Sequence, residues 1–158
     1  MDTTMTGAPA CATSCSFKQI RLTSRQATEF IDLTDELHEF LAAVGLQTGI
    51  LNVQTSHTTT AVVVNEHEPL LLSDFRDFIE RIAPRQAPYS HDDLSRRAGV
   101  GAGEPRNGHA HCRALLLPTA ACLNVVEGRL ALCRWQRVFL VELDGPRPRT
   151  ISIVAVGE

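Results

Sequence analysis

Between residues 83 and 108 the chain carries Pro84, Pro88, Gly99, Gly101, Gly103, Pro105 and Gly108, a density of breakers that excludes a regular helix or strand. This stretch divides the sequence into an upstream half where helical and strand patterns interleave and a downstream half that reads mainly as strands. A loop of this length inside a compact domain is expected to carry function.

Upstream, SFKQIRLTS (16–24) and ATEFIDLT (27–34) place Phe17, Ile20, Leu22 and then Phe30, Ile31, Leu33 among polar residues, which predicts two strands paired as a hairpin. Thr34 is suited to cap the next helix, Asp35 and Glu36 suit its positive end, and Gly45 suits its exit. Its apolar face is Leu37, Phe40, Leu41 and Val44. The β-branched run GILNVQTSHTTTAVVVNE (49–66) predicts one or two buried strands, with Ser56 to Thr59 at their junction. Pro69 fits the first position of a helix, and Leu71, Phe75, Phe78, Ile79 and Ile82 recur on one face, predicting a second helix over 69–82.

Downstream, HCRALLL, CLNVV, RLALCRWQRVFLVEL and RTISIVAV are four strand-like runs, separated by Pro118, by Glu127–Gly128 and by the Asp144-Gly145-Pro146 turn. Two main helices set among strands, followed by a strand meander, give an α+β fold with mixed or antiparallel sheets. Residues 1–15 are small and polar and read as a frayed tail, leaving 16–158 as one domain, a size that 158 residues at 44% hydrophobic content can pack around one core.

The formal net charge of −3 gives no reason to expect nucleic acid, whose binders neutralise phosphates. No run of about 18 apolar residues exists to cross a membrane, and the opening MDTTMTGAPACATSCS lacks the basic start and apolar stretch of a secretory signal, so a cytoplasmic location is expected. Cys11, Cys15, Cys112, Cys122 and Cys133 form no CxxC pair and read as reduced thiols.

Of the 6 histidines, all but His38 fall between residues 57 and 111. His57 and Thr58 in SHTTT suit an oxyanion or polar ligand; the competing reading is a strand-end histidine held by its own hydrogen bonds. Glu66, after Val62–Val64 and Asn65, is either a desolvated base or a solvated turn carboxylate. His67 and Glu68 are expected to be exposed at the second helix's cap. His91 and Asp92 place an imidazole beside a carboxylate that can fix its tautomer. His109 and His111, as alternate residues of a strand, would share one face like a metal-ligand pair, although a structural role competes. Trp135 and Gln136 interrupt the last long strand and read as core or as one wall of a pocket. GVGAGEPRNG lacks the lysine and hydroxyl of a P-loop, and no GxSxG is present.

Taken together, HTTTAVVVNE, YSHDD, NGHAHCRALLL and GRLALCRWQRVFLVELDGPRPR resemble the YjbQ family, small α+β proteins described as secondary thiamine-phosphate synthases. The chain departs from that pattern at Pro118, Ala120 and Cys133. The resemblance implies a homotrimer with the histidine-bearing segments gathered near the subunit contact, a weak thiamine-phosphate synthase activity and, in some members, a bound metal. On this reading His57, His91 and His111 hold Zn²⁺ or another divalent metal, Glu66 carries protons, Asp92 orients a histidine and Arg113 pairs with a substrate phosphate. Thr58, Asn65, Asn107, Trp135 and Gln136 would contact a small phosphorylated ligand. A metal-assisted hydrolase of a small phosphorylated metabolite and a non-enzymatic small-anion binder are the rival readings.

Overall fold

The computed structural model describes residues 12–101 and 103–158. Its elements run β1 (Ser14–Thr23), β2 (Glu29–Asp32), α1 (Thr34–Val44), β3 (Gly49–Thr55), β4 (Thr60–Glu66), α2 (Pro69–Ile82), α3 (Gly108–Leu115), β5 (Ala120–Val126), β6 (Arg129–Leu130), β7 (Gln136–Glu142) and β8 (Pro148–Gly157), with two 3₁₀ turns at Ser90–Asp92 and Leu94–Arg96. The strands form a five-stranded sheet, β1-β8-β3-β5-β6, and a three-stranded sheet, β2-β7-β4. All pairings are antiparallel. The fold is α+β, as helices set among strands and followed by a strand meander predict. Of the expected 1–15 tail, residues 1–11 lie outside the described residues, and β1 begins at Ser14.

The alternation of side chains along β7 builds two cores. Val138 and Leu140 point into the larger one, between the two sheets, with Leu51, Val53, Val62, Ile151 and Ile153, and with Leu37, Phe40 and Leu41 of α1. Phe139, Val141 and Leu143 point the other way, against Leu72 and Ile79 of α2 and Ala110 of α3. β7 is therefore buried on both faces, which explains its near-continuous apolar sequence. α2 begins at Pro69 and ends at Ile82, as its spacing predicts, with the Glu68 carboxylate accepting from the amides of Leu70 and Leu71 at 3.0 and 2.7 Å. His67 is exposed as expected, and its Nδ1 meets Asp32 Oδ2 at 3.0 Å. Glu68 is only half-buried because it serves that cap.

Three expectations are corrected. β1 and β2 do not pair: β1 lies against β8 and β2 against β7, in different sheets. Periodicity sets which face is buried but not which strand is the neighbour, and here the 24–28 connection is drawn across by the Ser24 amide donating to the Arg147 carbonyl at 3.0 Å. Thr34 does not cap α1. Its Oγ1 accepts from the Val138 amide of β7 at 2.9 Å, and Asp32 Oδ1 takes the Thr34 amide instead, while Gly45 closes the helix with φ 70° as expected. HCRALLL is not a strand. Gly108–Leu115 is a helix, started by Asp92 Oδ1 accepting from the Gly108 amide at 2.8 Å and carried by the good helix formers Ala110 and Ala114.

Three direct connections cross between the sheets, at 24–28, 56–59 and 143–147, and they are stitched to one another at one end of the sandwich. Leu143 N donates to Thr59 O, Ser56 N to Thr150 O, and Gly145 N to Ala27 O. At their centre Glu142, fully buried, ends β7 and pairs with Arg149, 5% exposed, on β8: Nε to Oε2 at 2.6 Å and Nη2 to Oε1 at 2.5 Å. Ser24 Oγ and the amides of Leu143 and Asp144 also donate to this carboxylate. Burial alone would raise the Glu142 pKa, but Arg149, the Asp144 amide and the Ser24 hydroxyl outweigh it and hold the carboxyl below its ordinary value.

Glu142→Gln, which leaves the Arg149 charge buried without its counter-ion, is expected to cost about 3–5 kcal/mol in urea unfolding. Because the folded-state pKa of Glu142 is depressed, its contribution is complete above the ordinary glutamate pKa and is lost as pH falls through the lower folded value, so the wild type loses more stability on acidification than the variant. A Cβ at Gly145 would sit 2.2 Å from the Gln26 carbonyl oxygen, so Gly145→Ala is expected to cost about 1–3 kcal/mol of stability in urea unfolding, the range for overpacking.

Candidate functional site

The crossover end of the sandwich opens into a cleft of about 490 Å³. The 56–59 connection contributes Ser56, His57 and Thr58, β8 and the turn before it contribute Arg147 and Arg149, and the breaker-rich segment and α3 contribute His91, Arg97, Asn107 and His111. Histidines expected to converge from distant segments do so: His57, His91 and His111 line one volume. The rings of His91 and His111 meet edge to face with centroids 4.8 Å apart.

His57 is half-buried, and its Nε2 accepts the Thr150 amide at 2.8 Å. Burial first, and then the Arg149 charge, push its pKa down, with Glu142 opposing. His111 is lowered by burial and by the neighbouring His91. Both rings are therefore neutral at neutral pH. His91 lies on the first 3₁₀ turn and bonds through Nε2 to Asn107 Oδ1 at 3.2 Å. Asn107 is buried, and its Nδ2 donates to Asp144 Oδ2 at 2.7 Å; the Arg147 guanidinium reaches the same oxygen at 2.9 Å. Thr58 is exposed at the rim.

A helix turns by about 100° per residue, so His109 and His111 lie about 200° apart and face opposite ways. The expectation that they share a face depended on a strand and is overturned with it. His111 reaches the cleft, while His109 is 2% exposed with both ring nitrogens unpartnered, and burial followed by Arg113 and Arg85 lowers its pKa.

Other expected site residues stand elsewhere in this chain. Arg113 is buried beneath α2, where Nε donates to Ala83 O at 2.9 Å and the guanidinium bonds Thr28 Oγ1 and Glu80. It has no free edge toward the cleft. Asp92 spends Oδ1 on the Gly108 amide and so places α3, while the group that orients a histidine is Asn107. Glu66 ends β4, six residues from the crossover and so about 20 Å away at strand rise, in a small depression with His67, Arg134, Trp135 and Arg137. Trp135 is 60% exposed beneath Arg134, whose guanidinium carbon is 4.6 Å from the ring centroid, and Gln136 Oε1 closes a turn on the Cys133 amide. Asn65 caps the Glu66 amide at the edge of an apolar groove formed by Phe30, Phe75, Phe78 and Leu117.

A three-histidine zinc set does not fit this arrangement. A neutral imidazole has one lone pair, and that of His57 is taken by the Thr150 amide. No group of three or more His, Cys, Asp or Glu side chains among the described residues is placed to hold a metal ion. Cys15, Cys112, Cys122 and Cys133 are free, and Cys11 lies outside the described residues.

Sequence reasoning overlooked Arg97, Arg147 and Arg149. The available signal was GPRPR, in which two arginines flank a proline immediately after a turn that follows a buried strand carrying Glu142. A charged pair re-entering a sheet needs counter-charges, and Glu142 and Asp144 were at hand in the same run.

No helix among the described residues is long and apolar enough to cross a membrane. Residues 18–158 match the family described as UPF0047 protein YjbQ-like. A UPF0047 protein of Archaeoglobus fulgidus is 36% identical over 138 residues, covering 87% of this chain and 99% of that protein. One from Methanothermobacter thermautotrophicus is 34% identical over 141 residues, covering 89% and 92%. Among solved structures, a YbjQ-like protein of unknown function from Sulfolobus solfataricus superposes with a TM-score of 0.84 at 31% identity, covering 93% of this chain and all of that one. A hypothetical protein of Aeropyrum pernix gives a TM-score of 0.80 at 34% identity, with 90% and 99% covered. With its α+β architecture and nearly its whole length matched, the chain belongs to the YjbQ-like UPF0047 family.

Proposed function

We propose that the crossover cleft binds a small phosphorylated metabolite and moves a proton on it. The observation that carries this reading is the gathering of Arg97, Arg147 and Arg149 with neutral imidazoles and the hydroxyls of Ser56 and Thr58 in one open volume. Guanidinium groups suit phosphate because each offers several donors in a plane, and donors remain after each has met its carboxylate: Arg97 with Glu104, Arg147 with Asp144, Arg149 with Glu142.

Weak secondary thiamine-phosphate synthase activity is the reaction this reading proposes to test. There the thiazole nitrogen of a thiazole phosphate attacks the methylene of a pyrimidine methyl diphosphate, a C–N bond forms, the C–O bond breaks and pyrophosphate leaves. Two anionic groups must be held while a third charge develops, work that ordinarily asks for Mg²⁺ or a large excess of cations. Three arginines balanced by three carboxylates support binding better than pyrophosphate departure, which agrees with a minor activity. The one proton this scheme can use goes to the departing pyrophosphate, and Glu66, at the far end of β4 in its own chain, can supply it only from a neighbouring copy. The proposed homotrimer provides such a neighbour, and the exposed apolar side chains Phe78, Ile82, Leu115 and Leu116 beside the α2 groove are a surface that a second copy would cover.

Calorimetric titration with thiazole phosphate tests the cleft. Arg147→Ala is expected to weaken binding about tenfold or more, the worth of a charged hydrogen bond, and an unchanged affinity removes the reading. For turnover, thiamine-phosphate formation and phosphoester hydrolysis are assayed in wild type, His91→Ala and Glu66→Ala. Loss in both variants supports an enzyme assembled across subunits, whereas equal background rates in all three leave a non-enzymatic anion binder. Stoichiometric zinc in protein purified without chelator, lost in His111→Ala, would favour the metal-assisted hydrolase and require His57 to leave Thr150.

A further inference from the structure

The partners of two cleft imidazoles dictate which nitrogen of each carries the proton. As a carboxylate, Asp144 only accepts, so the Asn107 atom 2.7 Å from it is the amide nitrogen Nδ2. The other end of that amide is then settled as well: Oδ1, an acceptor, faces His91 Nε2 at 3.2 Å. His91 must donate from Nε2, which leaves its lone pair on Nδ1. Arg147, a donor only, meets the same Asp144 oxygen at 2.9 Å. His57 is held in the opposite sense. The Thr150 amide donates to its Nε2 at 2.8 Å, so the proton of the neutral ring sits on Nδ1. Among the described residues neither Nδ1 has a hydrogen-bond partner, and neither is a buried orphan of the kind that His109 presents. Both nitrogens belong to rings that line the cleft.

We propose that Arg147, Asp144 and Asn107 form a tautomer lock on His91, and that the cleft thereby offers its ligand a fixed imidazole N–H, from His57 Nδ1, and a fixed imidazole lone pair, on His91 Nδ1, beside the ring of His111, whose tautomer no hydrogen bond among the described residues sets. The ligand class this selects is a phosphorylated compound with a hydroxyl close to the phosphate, the oxyanion meeting His57 and the hydroxyl donating to His91. That choice of ligand rests on the phosphate reading of the cleft, whereas the lock itself does not. Asp144 and Asn107 are positioning residues, since they act on a ligand only through His91. The lock is directional: reversing the Asn107 amide would turn His91, toward the ligand, from an acceptor into a donor. An acceptor-only carboxylate at 144 is what prevents the reversal.

The test is ¹⁵N NMR of the whole protein, free of ligand and above the pH at which its histidines titrate, where two-bond couplings distinguish protonated from unprotonated ring nitrogens. Wild type is expected to show His57 as the Nδ1–H form and His91 as the Nε2–H form. Asp144→Asn keeps the shape but lets the residue 107 amide face either way, so His91 is expected to become a mixture while His57 stays as it was. Asn107→Ser, which removes the amide, should release His91 in the same way and serves if the first variant does not fold. His91 found as Nδ1–H in the wild type, or unmoved in the folded variants, overturns the lock. Inorganic phosphate is then added to the wild type. A shift of the His57 Nδ1 resonance that saturates supports the ligand class, and no shift, with the tautomers as expected, overturns the phosphate reading and its ligand while the lock stands.

Discussion

The buried pairing of Glu142 with Arg149 is the constraint on which the site depends. Each charge lies on a different sheet, and neither could remain out of water without the other, so the pair fixes the distance between β7 and β8 where the chain turns from one sheet to the next. The remaining donors to Glu142 come from the 24–28 and 143–147 connections, and Arg149 reaches Thr59 of the 56–59 connection at 3.1 Å. One carboxylate thus organises all three crossings. His57 and Arg147 are placed by it without touching it, because each sits on a loop whose ends the pair has fastened.

This dependence explains which parts of the molecule the sequence disclosed. α2 was legible to its first and last residues because its signals are local: a proline that suits the first turn and apolar residues at helical spacing. The convergence of His57, His91 and His111 was legible as a pattern shared with a family, not as geometry. β1 and β2 were readable as strands but not as members of different sheets, since the bonds that separate them come from Arg147 and Glu142, more than a hundred residues further on. Nothing near Arg113 announces that Ala83 and Glu80 will claim it.

The histidine-rich helix shows a different failure. In NGHAHCRALLL the alternation of histidine with small residues imitates a strand, and the residue that starts the helix, Asp92, lies on another segment. The cost of the misreading was specific, for it placed His109 beside His111 when the helical turn puts one in the core and the other in the cleft. Trp135 and Gln136 were legible only as an interruption of a strand. The interruption is real, a turn closed by Gln136 on Cys133, but it opens at the far end of β7 from His57, His91 and His111.

The cleft has two walls of unlike construction. One consists of the three stitched connections, backed by a strand with no face left to water. The other is the wall that carries His91 and Arg97, where two 3₁₀ turns and the Arg97–Glu104 pair stand in place of a sheet. Distances measured from the first wall are therefore fixed by a ladder of backbone bonds, while the second is held by single side-chain pairs. Recognition by such a site would be strict about the anionic end of a molecule and tolerant about the length of its remainder.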